Sequence, residues 1–148
     1  MTLNLLIRTE RQIEVPTYAN ETDACMDLKA AIGENSTIVI EPGETKVIGS
    51  GLRCVIPEDH VMLMFVRSST GIKKNLCLAN GTGIIDAGYR DEIKMALHNF
   101  GSTPVVIADG ERVCQFMVIP RPKLSLLAAT DEELAQGDRG GGIGSTGK

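Results

Sequence analysis

The chain has no tryptophan and few aromatics: Tyr18, Tyr89, Phe65, Phe100 and Phe116 are all it carries in 148 residues. Binding single-stranded nucleic acid uses aromatic faces in series, and that supply is missing. Positive charge is also short. The net charge of −4 argues against a protein that grips nucleic acid through a basic face. An anionic small ligand would need its cations gathered locally. Histidine is limited to His60 and His98, and Cys25, Cys54, Cys77 and Cys114 are scattered with no Cys-x-x-Cys pair. Zinc sites need ligands at close spacing, so neither a zinc knuckle nor the zinc centre of a nucleobase deaminase is expected. Reduced, mostly buried thiols are the expected state. The longest apolar run, Val61 to Val66, is far too short to span a bilayer. No basic segment followed by an apolar core opens the chain, so it is read as unprocessed and cytoplasmic, with no membrane partner.

What is present has the period of strands. One domain of this length holds a sizeable core. Runs at 36–40, 45–48, 52–56, 61–66, 93–97, 105–107 and 113–119 are short and rich in β-branched residues, with Gly, Pro, Asn and Asp between them. That pattern predicts an all-β sandwich or barrel. Helix is confined to two places. Residues 68–74 suit one short helix, and Thr130-Asp131-Glu132-Glu133 reads as a capping box opening a brief helix up to Gln136.

The composition changes at the C-terminal end. Six of the twelve residues from Gly137 to Lys148 are glycine. Glycine loses the most backbone entropy on ordering, so such a tail does not fold alone. It suits a flexible arm whose exposed N–H groups order over a ligand. Gly142 to Lys148 also matches the start of a P-loop. A P-loop needs a flanking strand and helix and a Ser or Thr after its Lys, so a nucleotide-binding α/β fold is not expected.

Five polar segments interrupt the apolar pattern. Asp23-Ala24-Cys25-Met26-Asp27-Leu28 places acids in a near-apolar setting. Arg67-Ser68-Ser69-Thr70-Gly71 follows a strand directly and offers a cation and hydroxyls for phosphate. Gly83-Ile84-Ile85-Asp86-Ala87-Gly88-Tyr89 reads as a hairpin, with Ala87-Gly88 as the turn, Gly supplying a positive φ, and a carboxylate beside an aromatic. An Asp there also suits simple hydrogen bonding to its own turn. Gly110-Glu111-Arg112-Val113-Cys114-Gln115 sets a Gln in an apolar strand, where it needs partners. Arg139 to Gly147 supplies an Arg, hydroxyls and bare backbone.

In this order and spacing, from about Asp23 to Gly147, the segments resemble the five motifs of the trimeric dUTPase family. The resemblance implies a jelly-roll fold over residues 1–130, with residues 131–148 as an arm closing over a neighbouring active site. It implies a homotrimer and hydrolysis of dUTP to dUMP and pyrophosphate with Mg²⁺. Such an activity limits uracil in DNA and supplies dUMP for thymidylate synthesis. By the same resemblance Asp86 is the catalytic carboxylate that orients and deprotonates water. Tyr89 packs under the deoxyribose, leaving no room for a 2′-hydroxyl. Asn80 and the backbone of Gly83, Ile84 and Ile85 read the uracil edge, with a main-chain contact at Lys94. Arg67, Ser68, Ser69 and Gln115 bind phosphate. Asp27 touches the metal through water, and Arg139, Gly144, Ser145 and Thr146 close over the phosphates.

Four departures from the family pattern stand out. Cys25 and Asp91 replace glycines, Val66 replaces a proline, and the last motif is one residue shorter, with Ile143 nearest the place of its Phe. The related dCTP deaminases share the fold but carry a Glu ten residues after the Asp of the third motif. That position is Ala96 here. A dCTP deaminase-like or bifunctional enzyme, or a nucleotide-sensing regulator that binds without turnover, is the alternative on the same fold.

Overall fold

The computed structural model describes residues 3–10, 13–138 and 140. Eleven strands and two helices occur among them. The strands are β1 (Leu6–Thr9), β2 (Met26–Lys29), β3 (Thr37–Ile40), β4 (Thr45–Gly49), β5 (Leu52–Val55), β6 (His60–Val66), β7 (Leu76–Leu78), β8 (Gly83–Ile85), β9 (Lys94–Asn99), β10 (Val105–Ala108) and β11 (Arg112–Pro120). The helices are α1 (Ser68–Lys74) and α2 (Asp131–Ala135). All strand pairs are antiparallel. They form sheets in the orders β2-β11-β6-β8 and β4-β9-β7, with two-stranded ribbons β1-β5 and β3-β10. This is a jelly-roll sandwich. No helix among the described residues is long and apolar enough to cross a membrane.

The seven apolar runs of the sequence all appear as strands, within about two residues at each end, as expected of sequence-read boundaries. Alternation explains them. Along β9, Met95, Leu97 and Asn99 are buried while Lys94, Ala96 and His98 are not. Leu28, Ile40, Ile48, Met62, Leu76, Leu97, Ile107 and Val113 meet in one core. Asn99 is fully buried because its amide is used: Nδ2 donates to the carbonyls of Ile40 and Thr103 at 2.9 and 2.8 Å. The strands that the sequence hid are β1, β2 and β7, each of three or four residues. In β2 the charges of Asp27 and Lys29 break the apolar run, yet Leu28 between them reaches the core.

Cys54 and Cys114 are buried, and burial pushes their thiols up to about 11 and about 12, so neither is a thiolate at neutral pH. Cys25 and Cys77 are half-buried.

The capping box forms as expected. Thr130 N–H donates to Glu133 Oε2 at 2.8 Å, and Glu133 N–H donates to Thr130 Oγ1 at 3.3 Å. Residues 121–135 are nonetheless exposed throughout, including Leu124, Leu126, Leu127 and Leu134. Just past β11, Arg121 N–H still donates to the Asp59 carbonyl at 2.8 Å.

Candidate active site

A single irregularity in β11 builds the first half of the site. Arg112 pairs with Lys29 and Cys114 with Leu28, so Val113 is an extra residue, a β-bulge. In a regular strand Arg112 and Gln115, three apart, would face opposite sides. The bulge buries Val113 and Cys114 in succession and brings Arg112 and Gln115 to one cleft. Gln115 lies opposite Asp27 on β2, and its Nε2 donates to the Val66 carbonyl at 3.4 Å.

The cleft has a volume near 530 Å³ and is lined by Asp23, Cys25, Asp27, Arg67, Ser68, Arg112 and Gln115, among others. Asp27 is its centre. Its Oδ1 is 2.8 Å from Arg67 Nε and its Oδ2 is 3.3 Å from Arg112 Nη1. Arg67 Nη1 also donates to the Arg112 carbonyl at 3.3 Å, and Arg67 N–H to the Val113 carbonyl at 3.1 Å. The guanidinium is thus fixed along one edge, leaving its remaining donors for an anion. Arg112 was not singled out from the sequence. The spacing of three in a strand hides it, and only the bulge reveals it. Cys25 stays a neutral thiol, raised first by burial and then by the Asp27 carboxylate.

Arg67 is the N-cap of α1 and makes no side-chain cap bond. Ser68 is exposed at the helix start and lines the cleft. Ser69 is half-buried and lines a second opening with Arg67, Thr70, Lys73, Lys74, Glu111 and Arg112. The two serines therefore face different sides of the Arg67–Arg112 pair.

The second half of the site departs from the expected hairpin. β8 pairs with β6, whereas β9 pairs with β4 and β7. The Asp86–Tyr89 turn is a crossover between sheets. Its turn is real: Tyr89 N–H donates to the Asp86 carbonyl at 3.0 Å. Gly88, however, does not take a left-handed φ, so the turn needs no glycine there. The Asp86 side chain does not cap its own turn. It is exposed and has no hydrogen bond or ion pair among the described residues. Tyr89 is held at both ends, since its phenol O–H donates to the Glu92 carbonyl at 2.8 Å. β8 is the edge of its sheet, so one side of its backbone is open to a ligand. Gly83 is needed for its close approach, because a Cβ would lie 2.7 Å from Met64 Cε and 3.0 Å from Met64 Cβ. Asn80 is exposed in the preceding turn, and Lys94 opens β9 opposite Gly49. Arg139, Ile143, Gly144, Ser145 and Thr146 lie outside the described residues.

The two halves do not meet within the chain. β8 runs along β6 with Gly83 opposite Met64 and Ile85 opposite Met62. Asp86 therefore continues past Met62, while Arg67 follows Val66 at the other end. From the level of Val61 to Arg67 the strand advances roughly 20 Å at ~3.3 Å per residue. The cleft around Asp27 and the recess that Ala87 and Gly88 line share no residue.

A family model described as dUTPase matches residues 11–147. The chain belongs to the dUTPase family. Among curated relatives, a deoxyuridine 5′-triphosphate nucleotidohydrolase of Methylocella silvestris is 37% identical over 135 residues, covering 91% of this chain and 84% of that protein. One of the same name from Desulfitobacterium hafniense is 38% identical over 143 residues, covering 95% and 92%. The solved dUTPase of Staphylococcus bacteriophage 80alpha with dUPNHPP is similar over 99% of this chain and all of that one, with TM-score 0.83 and 26% identity. A mutant dUTPase from phage phi11 of S. aureus, described as revealing a structural Mg(II) ion, matches at TM-score 0.77 and 24% identity, covering 86% and 97%.

The donors here suit one kind of metal binding. Among the described residues no three acidic, His or Cys side chains converge to hold an ion. Both oxygens of Asp27 are engaged by guanidinium groups. That set fits a cation carried by phosphates and met through water, since Mg²⁺ keeps much of its hydration shell.

Proposed function

We propose that this chain hydrolyses dUTP to dUMP and pyrophosphate as a homotrimer, with each site shared between subunits. The observation that carries the shared site is the separation along β6. A base must lie within hydrogen-bond reach of the water it activates, directly or through one more water. Asp86 and the Arg67 cluster of one subunit are too far apart to act on one triphosphate. Two subunits that set these ends against each other resolve this.

In the assembled site the open edge of β8, with Asn80 and Lys94 beside it, reads the uracil through main-chain groups. Tyr89 lies under the deoxyribose. Arg67, Ser68, Ser69 and Gln115 hold the phosphates. Asp86 takes the proton of a water that attacks the α-phosphorus, and pyrophosphate leaves. Positioning and charge neutralisation carry most of such a reaction. Mg²⁺ bound to the phosphates would offset the charge on the leaving group, with Asp27 reaching it through water. Residues 131–148 form the arm, led out by the exposed run from Arg121. Arg139, Gly144, Ser145 and Thr146 close it over the phosphates of a neighbouring site. Ala96 provides no proton-transfer group for a deaminase.

The test is a panel of dUTP, dTTP, dCTP and UTP scored for pyrophosphate release with and without Mg²⁺. Release from dUTP alone is expected. Ammonia released from dCTP, or tight dUTP binding without turnover, would overturn the reading.

A further inference from the structure

The segment that carries Tyr89 is fastened to the bend between β4 and β5. Ser50 N–H and Oγ–H both donate to the Ile93 carbonyl, at 3.0 and 2.7 Å, and Ile93 N–H donates to the Leu52 carbonyl at 2.9 Å. Arg53 Nη1 donates to the Arg90 carbonyl at 3.0 Å and to Asp91 Oδ1 at 3.1 Å. Between these contacts the half-buried Glu92 turns its side chain inward. Its Oε1 accepts the Gly51 N–H at 2.7 Å. Gly49 makes room for it, because a Cβ there would lie 2.3 Å from Glu92 Oε1. The same residue's carbonyl accepts the Tyr89 phenol.

One residue therefore joins the aromatic to the frame twice over. Its carbonyl fixes the far end of the Tyr89 ring, and its carboxylate fixes that carbonyl against a buried bend. A ring that excludes a single hydroxyl by contact works only if it does not yield. Tyr89 is 39% exposed, so the fold does not enclose it fully, and the Glu92 carbonyl is the hydrogen-bonded stop at its phenol end. We propose that Glu92 is a positioning residue that sets discrimination between deoxyribose and ribose by holding Tyr89 in place. The proposal rests on the reading of Tyr89 as the sugar platform.

The experiment measures kcat/KM on dUTP and on UTP for wild type, Tyr89→Ala, Glu92→Ala, Glu92→Gln and Gly49→Ala. Tyr89→Ala tests the platform itself and should lower the dUTP/UTP ratio. Glu92→Ala removes the acceptor for Gly51 N–H and should lower the ratio about tenfold, the scale of one lost hydrogen bond to a charged group. Gly49→Ala reaches the same end from the facing strand, by displacing the carboxylate with a methyl group. Its backbone is not in the left-handed region, so it tolerates alanine. Glu92→Gln keeps an oxygen acceptor and should retain the wild-type ratio. An unchanged ratio in Tyr89→Ala defeats the platform reading. A lowered ratio in Tyr89→Ala alone, with Glu92→Ala and Gly49→Ala at the wild-type ratio, overturns the role of Glu92. If Glu92→Ala does not fold, Gly49→Ala decides, with Glu92→Gln as the control.

Discussion

Asp27 Oδ1 lies 2.8 Å from Arg67 Nε, so a strand-borne carboxylate aims the cation that opens α1. The same carboxylate holds Arg112 at 3.3 Å. An arginine fixed in this way meets a phosphate without first losing side-chain freedom, which otherwise costs affinity. Asp27→Ala should therefore raise KM for dUTP about tenfold, the scale of a charge-assisted hydrogen bond. Asp27→Asn should raise it less, because its carbonyl can still accept from Nε. Steady-state kinetics at saturating Mg²⁺ measure this. An effect confined to the Mg²⁺ concentration for half-maximal rate would instead assign Asp27 wholly to the cation.

Asp86 carries a different burden. It is exposed and unpaired among the described residues, and its own turn is closed by its backbone, not its side chain. Replacing it costs the fold little. Asp86→Asn keeps the shape and loses the base, so turnover should fall about 10²- to 10⁴-fold while binding of a non-hydrolysable dUTP analogue persists. A variant that keeps more than about a tenth of the wild-type rate, well above that range, would remove Asp86 from this role.

The separation of the two halves along β6 gives a complementation test. Asp86→Asn subunits retain Arg67, and Arg67→Ala subunits retain Asp86. Each preparation alone should be nearly inactive. Unfolding and refolding them together should restore activity, because some sites then draw both intact residues from different chains. Activity that stays at the level of the separate variants would mean that each chain uses its own pair, against the roughly 20 Å that the strand spacing puts between them.

Much of this was legible in the residues. Short β-branched runs marked the long strands because each alternates against one core, as Met95, Leu97 and Asn99 do on β9. Thr130 and Glu133 marked α2 because a capping box is a local device. Three things were not legible. β2 reads as polar because Asp27 lines the cleft and Lys29 pairs with Glu14, while Leu28 between them serves the core. Arg112 was invisible as a partner of Asp27 because the bulge at Val113 breaks the period that relates sequence to face. The Ala87-Gly88 turn suggested a hairpin, but pairing is non-local, and β8 and β9 go to different sheets.

The exposed run after β11 leads to the last prediction. The most C-terminal residue of the described core cluster is Phe116 on β11, with the half-buried Val118 packed against it. Residues 121–135 are all exposed and none belongs to the core, although Arg121 N–H donates to the Asp59 carbonyl at 2.8 Å. Ending the chain at Gly137 removes Arg139, Ser145 and Thr146 and keeps every described member of the core. Substitutions away from the core usually change stability by within about 0.5 kcal/mol, and this truncation should leave the melting temperature of the body nearly unchanged. Activity should nevertheless fall severely, because an arginine, two hydroxyls and the glycine N–H groups that would close over the phosphates are gone. Adding free dUTP should then protect the truncated protein against heat less than it protects the full chain, as expected when ligand affinity for the folded state drops. Equal protection of both chains, together with undiminished turnover, would show that the arm does not close over the phosphates.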